Sequence, residues 1–146
     1  MGGMTDLSDS HTISIGVLDN DSLALNAIAV MTSRLSPRFH IIWSTTSPAM
    51  ALQRCMTHGA RPDVLVVDMQ DVGLRFYTYY ISMLRMMDAC ADFGRAVVVL
   101  DRPNPNGSYI DGPVLDMKYK SGVGALPIPV VHGLTMGEIA RMAVGE

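Results

Sequence analysis

Five short apolar runs, each followed by a stretch of helical length, constrain this chain more than any other feature. Ile13–Leu18, Phe39–Trp43, Val64–Val67, Ala96–Leu100 and Ile128–Val131 contain no Asp, Glu, Lys or Arg and are rich in β-branched residues. Apolar runs of that length read as strands buried on both faces, the pattern of a parallel sheet. Ser22–Leu35 is helical, with Leu23, Ala27, Val30 and Met31 on one expected apolar face and Pro37 as its stop. Ser47 followed by Pro48 opens a second helix that runs to about His58, where Gly59 ends it. A third helix spans roughly Tyr77–Phe93 before Gly94, and the Thr135–Glu138 capping box opens the last.

Such β-α units predict a single doubly wound, five-stranded parallel sheet of flavodoxin-like or receiver-like order over residues 12–146. Sites in such sheets lie at the carboxyl ends of the strands. The topology therefore draws Asp19, Asp68, Asp101 and His132 to one edge. One long connection, about 26 residues from Asp101 to Leu126, interrupts the pattern. Loops of that length in compact domains are uncommon unless they serve a function.

Composition narrows the classes further. A hydrophobic fraction of 49% against 17% charged residues excludes a disordered chain. With a net charge of −3 and no Lys/Arg run, a nucleic-acid partner is not expected. No apolar run approaches a membrane span, so no membrane partner is expected either. Residues 1–11 are polar with no positively charged start, which reads as a disordered leader rather than a secretory signal, and places the chain in the cytoplasm. Cys55 and Cys90 stand apart from any ligand spacing and read as buried free thiols. Exposed strand edges and the long loop favour self-association.

Two resemblances emerge from the motifs. Ile15-Gly16-Val17-Leu18-Asp19-Asn20-Asp21 and Pro62-Asp63-Val64-Leu65-Val66-Val67-Asp68-Met69 resemble a LuxR-type response-regulator receiver domain over residues 12–69. That resemblance implies a Mg²⁺ held by Asp19, Asp21 and Asp68, with Asp68 as phosphoacceptor, because Mg²⁺ takes hard oxygen ligands and lets a carboxylate attack a phosphoryl group. The Ser/Thr and Lys that complete such a switch are missing, since the fourth and fifth strands run into Asp101-Arg102 and His132-Gly133.

Residues 63–146 resemble instead the Rossmann-like domain of the bacterial exo-β-N-acetylmuramidase family. The motifs are Gln70-Asp71-Val72-Gly73-Leu74-Arg75-Phe76-Tyr77-Thr78-Tyr79, Val99-Leu100-Asp101-Arg102-Pro103-Asn104-Pro105, Gly112-Pro113-Val114-Leu115-Asp116 and Pro127 to Thr135. Glycoside hydrolysis commonly uses two carboxyl groups, one protonated and one ionised. The resemblance implies Asp71, Asp101 and His132 as catalytic candidates, and Arg75, Tyr77, Arg102, Asn104 and His132 as remnants of a sugar site. Members of that family are longer and carry an upstream Glu-His-Gly element that this chain lacks.

The two patterns share the strand at Val64–Val67. The expectation is accordingly a recombined or engineered flavodoxin-like scaffold, a chimera with no intact native activity and no required cofactor, Mg²⁺ being the one candidate. The alternatives are a Mg²⁺-dependent phosphoacceptor module acting at Asp68, and a truncated exo-N-acetylmuramidase domain.

Overall fold

A computed structural model describes residues 11–145 of the chain, so the expected leader lies almost wholly outside the described residues. The elements run β1 (Ile13–Asp19), α1 (Ser22–Leu35), β2 (Phe39–Thr45), α2 (Pro48–Met56), β3 (Val64–Asp68), α3 (Tyr79–Asp92), β4 (Ala96–Val99) and α4 (Met136–Val144). The strands form one parallel sheet in the order β2-β1-β3-β4. Alternate residues of each strand face opposite layers, as the two-residue period of a strand requires. Leu18, Leu65 and Val67 meet α2, α3 and α4 in the larger core, which holds Tyr80, Met83, Met86 and Ile139. Ile15, Val17 and Val66 face the other way, toward Leu25 and Ile28 of α1.

Local sequence explains the helix ends. Asp21 caps α1 by accepting from the Leu23 amide, and Ser47 caps α2 through Met50. At α4 the Thr135 hydroxyl accepts from the Glu138 amide while the Glu138 carboxylate accepts from Thr135, closing the capping box. Cys55 of α2 and Cys90 of α3 are buried free thiols that face one another in the core.

Two expectations need correction. The α1 face is rotated: Leu25 is buried, whereas Leu23, Val30 and Met31 are exposed. The helix offers two apolar rows, and only the row containing Leu25 and Ile28 reaches the sheet. The part of that sheet face formed by Val98 and Leu100 is left uncovered beside α1.

Among the described residues the sheet has four strands, not five. Pro127 and Pro129 remove two amide donors from the segment expected to be the fifth strand. Its remaining hydrogen bonds go elsewhere: the Val131 and Asp111 amides each donate to the other's carbonyl, and the Arg75 amide donates to Val130. Residues 128–131 thus run antiparallel to the long loop and to Leu74, and β4 is the edge of the sheet.

Candidate functional site at the carboxyl edge

The long loop is a built wall rather than a slack connection. Arg75 fastens it by donating through Nη1 to the carbonyls of Pro113 (2.8 Å) and Ile128 (2.7 Å). Asn106 donates to the Val72 carbonyl at 2.7 Å, and the Ala125 amide donates to the buried Tyr80 hydroxyl at 3.0 Å. These bonds tie the loop to the turn after β3 and to α3. That turn depends on Gly73, whose φ of +76° lies in the left-handed region and whose missing side chain leaves room for the Asn104 amide.

Asp71 and His132 occupy the floor beneath this wall. Asp71 is 4% exposed; its Oδ1 accepts from the Gly73 amide at 2.8 Å, and its Oδ2 is buried without a partner. His132 is 2% exposed and its amide donates to the Gly73 carbonyl, so one glycine links both residues. The ring Nδ1 accepts from the Leu134 amide at 3.2 Å. A neutral ring must then carry its proton on Nε2, and that nitrogen is also buried and unpartnered.

Burial pushes the Asp71 carboxyl above its ordinary value, against the Gly73 hydrogen bond and the attraction of His132. Burial holds the His132 ring below its ordinary value, against the attraction of Asp71. Both groups are thus biased toward their neutral forms, and each feels the other's charge. A carboxyl and an imidazole with free polar atoms can exchange protons with a bound ligand.

Asp19 and Asp68, paired across neighbouring strands, form a second acidic group. Asp68 holds Arg102 through an Oδ2···Nη2 ion pair of 2.5 Å, while its Oδ1 and the Asp19 Oδ2 are buried and unpartnered. Burial first, and then the neighbouring Asp68 charge, raise the Asp19 carboxyl; the Asp21 amide hydrogen bond opposes this. Asp21, expected beside them as a metal ligand, is exposed and uses its Oδ1 to cap α1. Among the described residues no group of three His, Cys, Asp or Glu side chains is placed to hold a metal ion.

The other expected residues divide sharply. Asp101 is exposed and committed to α4: Oδ2 accepts from the Thr135 hydroxyl at 2.7 Å and Oδ1 from the Gly137 amide at 2.8 Å. A side chain at position 137 would come within 2.6 Å of that carboxylate, so glycine permits the contact. Asn104 is also structural, donating to the Leu134 carbonyl while accepting from the Asn106 amide. Tyr77 is exposed and packs edge-on against Tyr79 with ring centroids 4.9 Å apart.

Arg102 keeps a half-exposed guanidinium beside Gln70, Asp71 and Thr135, which close up into a cleft with no room for a bound molecule. Leu134 closes that cleft and also walls a second, wider cavity of about 420 Å³. Gly107, Ser108, Tyr109, Ile110, His132 and Glu138 line the wider one. Ser108, Tyr109 and Glu138 were not expected at a site, because only the folded-back loop brings positions 108 and 109 beside α4.

Fold and edge together define an α/β domain whose buried titratable groups gather where a parallel sheet opens. The sequence relationships give its family. Residues 54–146 match the family described as exo-beta-N-acetylmuramidase NamZ, N-terminal, and the chain belongs to that family. It is 51% identical over 81 residues to the peptidoglycan beta-N-acetylmuramidase NamZ of Bacillus subtilis (strain 168). That match covers 55% of this chain and 20% of the relative, so the shared region is about a fifth of the longer protein.

Two crystal structures of DUF1343 family proteins from Bacteroides fragilis NCTC 9343 are similar in fold. One superposes with a TM-score of 0.71 at 41% identity, over 95% of this chain and 43% of the other. The second gives a TM-score of 0.68 at 28% identity, over 89% and 40% of the two chains.

These findings overturn the reading of a chimeric scaffold without activity. A solved DUF1343 fold accounts for nearly the whole chain, including the half that resembles a receiver domain, and the family is one of enzymes. The receiver resemblance rested on an apolar strand ending in acidic residues, a pattern that parallel α/β sheets share. The expectation that the chain is not an enzyme falls with it. Among the described residues no helix is long and apolar enough to cross a membrane.

Proposed function

We propose that the chain is the sugar-cleaving N-terminal domain of an exo-acting peptidoglycan N-acetylmuramidase, hydrolysing the β-glycosidic bond of a terminal N-acetylmuramic acid. The supporting observation is that the family match over residues 54–146 includes both Asp71 and His132, beside 51% identity over 81 residues to the Bacillus subtilis enzyme. These two residues meet at the carboxyl edge with unpartnered polar atoms.

In this reading Asp71, held toward its protonated form by burial, donates a proton to the leaving oxygen. His132 presents Nε2–H to an oxygen of the substrate, its tautomer set by the Leu134 amide. Asp68, anchored by Arg102, is the second carboxylate at this edge. The exposed part of the Arg102 guanidinium suits the lactyl carboxylate that distinguishes N-acetylmuramic acid from other amino sugars. Asp101 has no catalytic part, because both of its oxygens are spent on α4.

The test is incubation with a disaccharide of N-acetylmuramic acid β-linked to N-acetylglucosamine, followed by mass spectrometry of the products. Free N-acetylmuramic acid from the native chain, with release cut about 100-fold or more in Asp71→Asn, is the expected result. Equal release by both proteins would remove Asp71 from the chemistry, and no release by the native chain would refute the assigned activity.

A further inference from the structure

The composition of α1 does not match the burial it has within one chain. A helix resting on one face of a sheet carries charged and polar residues on its outer side, whereas one that is apolar nearly all round is covered all round. Over its 14 residues α1 has a single charged side chain, Arg34 in the last turn. Leu25 and Ile28 face its own sheet. Leu23, Ala27 and Val30 follow one another at helical spacing on the other side, and all three are exposed.

The sheet shows the converse feature. α1 lies against β1 and β2, and among the described residues no helix covers the same face of β3 and β4. What remains is an apolar slot of about 470 Å³, walled by Met31 and Leu35 of α1 and floored by Val66, Val98 and Leu100. None of its lining residues is charged. Parallel sheets are ordinarily covered on both faces, so the slot stands where a second helix belongs. Two strand spacings of about 4.8 Å place it about 10 Å from α1, and packed helices lie about 8–10 Å apart.

We propose that the slot takes α1 of a second copy of the chain, in a symmetric dimer whose two sheets share one layer of two helices. Each copy has one helix with an unburied outer row and one slot without a helix. A reciprocal exchange satisfies both and leaves neither over, as a closed two-fold interface requires. An unrelated partner would fill the slot yet leave the outer row of α1 in water. With the two-fold axis running along the helices, the two α1 lie side by side and Met31 meets its own counterpart. Leu23, Ala27 and Val30 of each copy then press on Val98 and Leu100 of the other.

Leu23, Val30, Met31, Leu35, Val98 and Leu100 are each between 40% and 76% exposed. With the surface around them, the two copies together bury on the order of 1,000 Å², the size a specific interface needs. Arg34 lies in the last turn of the helix, where its long side chain can reach the rim. Neither Asp71 nor His132 lines the slot, so the dimer leaves their edge of the sheet open.

The experiment is sedimentation equilibrium of the full chain over a wide concentration range. The native chain is expected to reach about twice its 15.8 kDa mass. Leu23→Lys places an unpaired charge in the contact and should raise the dissociation constant about 100-fold or more. Position 23 is so exposed in a single copy that this variant should fold as the native chain does. Val98→Lys probes the sheet half of the contact and should have the same effect. Met31→Cys, at the axis, should form a disulfide between copies under mild oxidation with copper phenanthroline. The native chain, whose Cys55 and Cys90 are buried, should not.

A native chain that stays monomeric at every concentration would overturn the proposal and leave the slot to a different partner. A dimer that survives Leu23→Lys, or one that Met31→Cys fails to cross-link, would overturn it as well. No sugar enters these measurements, so their outcome is independent of the muramidase reading.

Discussion

Two carboxylates leave this sheet at neighbouring strands and are used in opposite ways. Asp101, after β4, is exposed, and both of its oxygens accept hydrogen bonds at the start of α4. Asp71, after β3, is buried with one oxygen engaged and the other empty. A satisfied exposed carboxylate stabilises a helix end. A buried half-satisfied one keeps hydrogen-bonding capacity that a ligand can meet. Their neighbours follow suit, since Thr135 and Gly137 complete a cap while His132 adds a second unpartnered atom to the Asp71 side. Strand-end position alone therefore does not mark a catalytic residue; the state of the side chain's remaining hydrogen-bonding capacity separates the two.

The largest effect should come from the hinge that builds the Asp71 side. Gly73→Ala would force a left-handed φ on a residue with a side chain and drive its Cβ into Asn104. Backbone strain of this kind costs about 1–3 kcal/mol, and the steric conflict adds to it. Chemical denaturation should show a loss of about 3 kcal/mol or more, together with loss of ligand response. A loss below about 1 kcal/mol would mean that the turn relaxes freely and does not fix the site.

A smaller effect concerns pH, where the Asp71 side should respond through two groups of opposite sense. The folded chain resists protonating His132, whose pKa lies below its ordinary value of 6.5. As pH falls through 6.5, the unfolded chain gains a proton there that the folded chain refuses. Stability then declines until the folded-state pKa is passed. Asp71 acts the other way: its raised pKa favours the folded state as pH falls toward the ordinary carboxyl value of 3.8. His132→Gln should flatten the first decline, which is at most about 1.4 kcal/mol per pH unit for one group. Urea midpoints measured between pH 7 and pH 5 would show it, and an unchanged slope would place the pH sensitivity elsewhere.

Much of this architecture was legible in the sequence because its signals are local. Ser47-Pro48, the Thr135–Glu138 box and the first four apolar runs act within a few residues of themselves, and the elements formed where those signals stood. The motifs holding Asp71 and His132 were visible as well, though not the glycine that joins them. What stayed hidden depends on distant partners. Asp101 caps a helix more than thirty residues away, and Arg75 spends its guanidinium on carbonyls of the loop rather than on a ligand. The proline-bearing segment at 127–131 looked like a strand because its apolar run was intact. Its missing donors mattered only once the loop offered it another partner.

The same reasoning explains the misreading of the first half. Residues 12–53 fall outside the family match, and an apolar strand running into acidic residues is common ground among parallel α/β folds. The pairing of β1 with β3 and the superposition over 95% of the chain show β1 to α2 as part of one fold with the rest.

The most direct test of the contrast is a thermal-unfolding comparison of Asp71→Asn and Asp101→Asn, each with and without N-acetylmuramic acid. Asp71→Asn should unfold at or above the native temperature at neutral pH, because it replaces a carboxyl whose ionisation burial opposes, yet show no rise when the sugar is added. Asp101→Asn should lose about 1 kcal/mol of cap stability and keep the sugar-induced rise. If instead Asp71→Asn retains the full rise, or Asp101→Asn loses it while Asp71→Asn does not, then the roles assigned to these two carboxylates are wrong.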